Sequence, residues 1–181
     1  WEANKRFIAD GRYGSNLMKL IVSQNIPFTL IYDSWKANSR ALVDLDENTA
    51  REEVKEMCAK VLSNRKPPYS LKGGLYDALV ATGGDMFLAT NEEAMEAKAL
   101  FEQLEGIDIE PAAAVALASL MQCVRERRVE EDAVIMLNIT GGGIARYKKE
   151  FNPVMQKPDL VFPVNPNPEM VKEKVRELIG K

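Results

Sequence analysis

The run Leu137-Asn138-Ile139-Thr140-Gly141-Gly142-Gly143 has the clearest chemical potential in this sequence. It reads as a buried strand that ends in a hydroxyl and three glycines. Glycines there permit unusual dihedrals and let a ligand approach the backbone, as happens at the carboxyl ends of strands in open α/β sheets. A plain strand-to-loop turn is the competing reading, because glycine clusters are common punctuation. The run matches neither a phosphate loop with its lysine nor a complete dinucleotide fingerprint. Lys19, inside an apolar run, and Lys36, in Asp33-Ser34-Trp35-Lys36, are the lysines that invite a nucleophile reading. Neither shows the cofactor-cradling context such a lysine needs. The chain contains 0 histidines, which removes the usual base with a pKa near neutrality and excludes a Ser-His-Asp or Cys-His hydrolase within it. Cys58 and Cys123 have no second cysteine or histidine nearby to complete a metal site, so no metal ligand is assigned and both read as reduced core thiols.

Three short apolar runs, 17–22, 85–89 and 133–139, suit strands buried on both faces of a parallel sheet. Helical patterns lie between them. Thr49 and Glu52 form a capping box ahead of a stripe through Ala50, Val54, Met57, Cys58, Val61 and Leu62, and Thr90 and Glu93 repeat the device. A third helix opens at Glu110-Pro111, with proline where its missing N–H costs nothing, and runs through AAAVALASLMQCV. Its small residues suit close packing against a sheet. Arg125 to Arg128 fall at its end, where cations complement the helix dipole and a solvated terminus is the simplest reading. Residues 151–168, with five prolines among them, cannot hold a helix or a central strand. They lead to a last helix at Asn167-Pro168 that carries Val171, Val175, Leu178 and Ile179 on its apolar side. Strands alternating with helices predict an α/β fold with a mostly parallel open sheet flanked by helices. The expected organisation is one domain over 1–150 and a proline-rich tail with a terminal helix over 151–181.

Composition narrows the function classes. A net charge of -3, from 24 basic and 27 acidic residues spread along the chain, offers no electropositive stripe for a phosphate backbone, so nucleic acid is not an expected partner. No apolar run approaches the roughly 20 residues needed to cross a bilayer, and a cytoplasmic location is expected. The opening Trp1-Glu2-Ala3-Asn4 has helical spacing without a capping residue ahead of it and reads as a cut through a helix.

Taken in order, Glu110-Pro111, the alanine-rich helix and the apolar run ending in Thr140-Gly141 resemble the threonine synthase-like branch of fold type II pyridoxal-phosphate (PLP) enzymes. Met18 to Gln24 resembles a strand and strand end of that family, and Gly83 through Glu93 resembles the strand and capped helix preceding its Glu-Pro element. The resemblance covers nearly all of residues 1–150. Threonine synthases typically carry Thr-Gly-His-Gly and then Leu-Lys-Asp-Pro. Here the sequence reads Thr140-Gly141-Gly142-Gly143-Ile144-Ala145-Arg146-Tyr147, which is more similar to the cysteate synthases of the branch.

The resemblance implies an enzyme that replaces the phosphate of O-phospho-L-serine with sulfite, on a route to coenzyme M, with threonine synthesis from O-phosphohomoserine as the alternative. It implies PLP as cofactor, with the Thr140 hydroxyl meeting the pyridine nitrogen, Gly141 and Gly142 as backbone contacts beside the ring, and Glu110 near the pocket or serving only as a charged N-cap. A neutral hydroxyl holds that nitrogen less firmly protonated than a carboxylate would, which favours elimination and addition over transamination. No catalytic residue is assigned within the chain, because the Schiff-base lysine and the glycine-rich phosphate loop are expected ahead of Trp1. The chain alone is therefore expected to be inactive. The implied partners are a phosphorylated amino acid and sulfite, and members of the family are often homo-oligomers. A non-catalytic module that binds a phosphorylated metabolite at the strand edge is the reading from a different class.

Overall fold

A computed structural model describes residues 1–154 and 156–180; Met155 and Lys181, both within the expected tail, lie outside the described residues. The chain divides into two compact units, Trp1–Arg146 and Tyr147–Lys181. The first unit contains α1 (Glu2–Asp10), β1 (Ile21–Asn25), α2 (Leu30–Lys36), α3 (Glu47–Glu56), a 3₁₀ turn (Lys60–Leu62), α4 (Leu75–Thr82), β2 (Asp85–Ala89), α5 (Asn91–Glu105) and α6 (Pro111–Arg125). A further helix, α7 (Ile144–Phe151), runs across the division, and α8 (Pro168–Ile179) belongs to the second unit. In that second unit Asn167 caps α8 by accepting the Glu169 N–H at 2.9 Å, and the described residues between 152 and 167 contain no helix or strand. Val171 and Val175 are half-buried while Leu178 and Ile179 are exposed.

The sheet follows the expected α/β plan: β1 and β2 pair in parallel, Ile21 opposite Asp85 through to Asn25 opposite Ala89. Side chains alternate between the two faces of a strand, so Gln24 and Asn25 point opposite ways. Gln24 accepts the Tyr32 N–H of α2 at 2.7 Å. On the other face Ala89 packs in a core of alanines, Ile109 and Val115 with α5 and α6. The sheet is thus covered by α2 on one side and α6 on the other.

That second face explains the small residues of α6. Ala113, Ala114, Val115 and Ala118 are all buried, as are Ala94 and Ala97 on α5, which lets the two helices and the sheet approach closely. Pro111 stands at the first turn as expected, and Thr90 and Glu93 form the expected capping box of α5, with bonds of 3.1 and 2.9 Å.

Several expectations are corrected. The first strand lies at 21–25 rather than 17–22, because only from Ile21 onward does a partner strand run beside it; Lys19 therefore precedes the strand and is exposed. Residues 133–139 form no strand: Val134 is fully exposed and Met136 is 84% exposed. Apolar side chains favour a strand, but the ladder needs a neighbour to take its N–H and C=O groups, and the sheet among the described residues has two strands. The cap of α3 is Asp46, whose carboxylate accepts the Thr49 N–H at 2.7 Å, and α3 ends at Glu56, so Val61 lies off the expected stripe and is exposed. Arg128 is more than a solvated terminus. It pairs with Asp85 and lies 4.7 Å from the Phe87 ring centroid.

The Asp85 cluster orients α6. Asp85 opens β2, while Arg128 follows the last turn of α6. Their ion pair places the carboxyl end of α6 at the amino edge of the sheet, so the helix N-terminus sits at the carboxyl edge. Lys36 and the Trp35 indole N–H also reach Asp85, each at 3.1 Å, and the Met86 N–H does so at 2.8 Å. Burial pushes the Asp85 carboxyl up, but the Met86 N–H and the Arg128, Trp35 and Lys36 donors together hold it far below the usual carboxylate range.

Candidate functional site

At the carboxyl edge of the sheet, residues from three separated stretches meet around a cleft of about 360 Å³. One wall is Cys58-Ala59-Lys60-Val61, the second is Glu110-Pro111-Ala112 at the start of α6, and the third is Thr140-Gly141. The volume falls within the range of small-molecule sites.

The Thr140-Gly141 wall is joined to the Glu110 wall through the backbone. The Glu110 N–H donates to the Gly141 carbonyl at 2.9 Å, and the Gly143 N–H donates to the Asp108 carbonyl at 2.7 Å. Ile109 and Gly142 form an antiparallel bridge. A Cβ on Gly142 would lie 2.4 Å from the Asp108 carbonyl oxygen, and Gly143 has a φ of +74°. Gly142 is thus required by the close approach of these chain segments, and Gly143 by its left-handed backbone. Asp108 completes the junction: its carboxylate accepts the Ala145 N–H at 3.0 Å at the start of α7, and that bond, together with the Arg146 N–H, holds the acid below its ordinary value against the effect of burial.

Of the residues singled out in the sequence, Glu110, Thr140 and Gly141 line the cleft, and Gly142 is in the bridge beneath it. Glu110 is the N-cap of α6, but its side chain makes no capping hydrogen bond and its carboxylate is exposed. The first turn of any α-helix leaves N–H groups without intrahelical partners, and Ala112, which lines the cleft, belongs to that turn. Lys19 and Lys36 stand apart from the cleft, Lys36 being paired with Asp85 at the opposite edge of the sheet.

The Cys58–Val61 wall was not singled out as a site. The apolar spacing from Ala50 to Leu62 continues a helix through this stretch, and no glycine or proline marks the break, which the extended backbone of Met57 makes. Lys60 is the cation among the lining residues. Cys58 is half-buried rather than a core thiol, and burial pushes its thiol up, while Cys123 is buried in α6 as expected.

The pyridoxal-phosphate dependent enzyme family matches residues 6–141 of the chain, a stretch that contains all three walls. The chain belongs to the pyridoxal-phosphate dependent enzyme family. Among curated proteins it is similar to the cysteate synthase of Methanosarcina mazei, with 52% identity over 161 residues, 88% of this chain and 39% of that protein. The cysteate synthase of Methanosarcina acetivorans is 46% identical over 97% of this chain and 42% of its own length. That of Methanocella arvoryzae is 43% identical over 99% and 42%. The chain therefore spans about two fifths of the curated relatives it matches.

The lining of the cleft combines one neutral hydroxyl with small apolar side chains, a donor set compatible with the cofactor of the family. Thr140 brings a hydroxyl, and Ala59, Val61, Pro111 and Ala112 bring small apolar surface. Gly141 keeps the backbone bare where it faces Glu110, since a Cβ there would sit 3.2 Å from Glu110 Cγ. Among the described residues no group of acidic, cysteine or histidine side chains is arranged to hold a metal ion. No helix of the described residues is long and apolar enough to cross a membrane.

Proposed function

We propose that this chain is part of a PLP-dependent β-replacement enzyme that converts O-phospho-L-serine and sulfite to L-cysteate and phosphate. The observation that carries the reading is the cleft itself, where Thr140, Gly141 and Glu110 converge with a cationic Lys60 at the carboxyl edge of the sheet. Similarity to proteins named cysteate synthase, at 43–52% identity over most of the chain, supports the choice of reaction.

In this reading Thr140 holds the pyridine nitrogen of PLP through its hydroxyl, with Gly141 and Gly142 as the bare backbone beside the ring. When bound, PLP supplies an electron sink for charge that develops at the substrate α-carbon. A threonine is a neutral partner and leaves the pyridine nitrogen less firmly protonated than a carboxylate would, which tempers that sink and suits loss of a β-substituent over transamination. Lys60 attracts the anionic groups of the reactants, the leaving phosphate and the incoming sulfite. Glu110, across the cleft from Lys60, disfavours a second anion near itself and so gives the anionic group one orientation. Ala59, Pro111 and Ala112 give that side of the cleft a small apolar surface. The lysine that bonds PLP covalently belongs, in this reading, to residues outside 1–181. Such an enzyme would work in the cytoplasm as a homo-oligomer and serve coenzyme M formation.

The test is an assay of the full-length protein that contains these residues. L-cysteate is expected from O-phospho-L-serine and sulfite; threonine from O-phosphohomoserine, or no product from either pair, overturns the reading. Borohydride reduction of the PLP-loaded protein, followed by peptide mapping, is expected to find the cofactor on a lysine outside 1–181. Attachment at Lys60 would give that residue the covalent role instead.

A further inference from the structure

The Cys58–Val61 wall is fastened to the sheet by two side-chain amides. Asn25 is the last residue of β1 and is wholly buried, and Asn91 is the first residue of α5, just past β2. Asn25 donates through Nδ2 to the Ala89 carbonyl at 3.0 Å and to Asn91 Oδ1 at 3.1 Å. Its Oδ1 accepts the Ala59 N–H at 3.1 Å and the Cys58 thiol at 3.5 Å. Asn91 Oδ1 accepts the Cys58 N–H at 2.9 Å, and its Nδ2 donates to the Glu56 carbonyl at 2.8 Å. Met57, which follows α3, is extended at φ −64° and ψ 138°. The wall therefore begins where helical hydrogen bonding stops, and its buried backbone groups need partners from elsewhere. The two asparagines provide them from the carboxyl ends of both strands.

We propose that Asn25 and Asn91 are positioning residues of the cleft, a paired-amide clamp that holds Cys58–Val61, and with it Lys60, in register with the strand ends. Neither side chain lines the cleft; both act through the Cys58 and Ala59 backbone. The catalytic arm of this inference rests on the proposed function, while the structural arm does not.

Both arms use the full-length protein. Alkylation of Cys58 by iodoacetamide, resolved by peptide mass spectrometry, reports on the wall, and Cys123, 2% exposed in α6, reports on the fold as a whole. In Asn91→Ala the Cys58 N–H and the Glu56 carbonyl lose their partner, and Cys58 is expected to label about tenfold faster with Cys123 unchanged. Asn91→Asp keeps an acceptor for the Cys58 N–H and is expected to fall between that variant and the parent. In the cysteate assay Asn91→Ala is expected to raise KM for O-phospho-L-serine by about tenfold with a smaller loss in kcat, and Asn91→Asp to recover part of it. Unchanged Cys58 labelling in both variants overturns the clamp, as does a parallel rise of Cys123 in both, or equal losses in KM and kcat without rescue. A faster Cys58 in a protein whose parent makes no cysteate supports the clamp and overturns only the assigned reaction.

Discussion

Lys60 and Asp85 carry the sharpest expectations for single side chains, and they sit at opposite edges of the sheet. Lys60 is the cation that lines the cleft. A hydrogen bond to a charged group contributes roughly 1.5–3 kcal/mol, so Lys60→Gln in the full-length enzyme is expected to raise KM for the phosphorylated substrate by about tenfold. Steady-state kinetics check this, and Lys60→Arg should recover most of the loss. Asp85 tests stability instead. Its folded-state acidity lies below the ordinary aspartate value of about 4, so its contribution is present in full above that pH and is lost as pH falls through the lower, folded value. Lys36 and Arg128 are each more than a third exposed, which lets solvent screen their share. Asp85→Asn is therefore expected to cost about 2 kcal/mol in urea unfolding at pH 7, near the middle of the range for bonds to charged groups. Below pH 4 the difference between variant and parent should shrink. Thr140 was legible at this scale because a hydroxyl ahead of three glycines is visible in the string. Asn25 and Asn91 were not, since a lone asparagine at the edge of an apolar run looks like any polar boundary.

At the scale of elements, the glycine run proves to serve the junction of two chain segments before it serves a ligand. Gly142 faces the Asp108 carbonyl across a gap that no side chain fits. Gly142→Ala is expected to break the Ile109–Gly142 bridge and destabilise the chain by about 2 kcal/mol, a typical cost of an imposed backbone clash. Thermal unfolding measures the loss; if the proposed function holds, the same substitution in the full-length protein weakens PLP retention, because Thr140 and Gly141 are carried on the same stretch. The capping box of α5 and the Glu-Pro start of α6 were readable because their signals are local: a side chain three residues from its partner, or a proline that lacks an N–H. The cap of α3 lies three residues ahead of Thr49 because Asp46 and Thr49 are both preferred N-cap types, the fuller Thr49–Glu52 pattern notwithstanding, and only the backbone conformation at 46 decides between them.

For the molecule as a whole, the exposed run through Val134, Ile135 and Met136 stands out in a chain that spans about two fifths of its relatives. Apolar surface left in contact with water binds hydrophobic dyes and other copies. The 181-residue chain produced alone is expected to enhance anilinonaphthalene sulfonate fluorescence, and Val134→Ser with Met136→Ser to reduce that signal without lowering the melting temperature. Hydrophobic pattern, capping residues and glycine spacing by themselves determined the α/β class, the starts of α5, α6 and α8, β2, and the residue types that make Thr140-Gly141 and Glu110 candidates. These follow from interactions within a few residues, which a string displays. The tertiary structure alone decided that 133–139 has no strand beside it, that Arg128 turns back to Asp85, and that Cys58–Val61 joins Glu110 and Thr140 around one cleft. Each of those depends on which distant segments supply the missing hydrogen-bond partners, and that pairing exists only once the chain has folded.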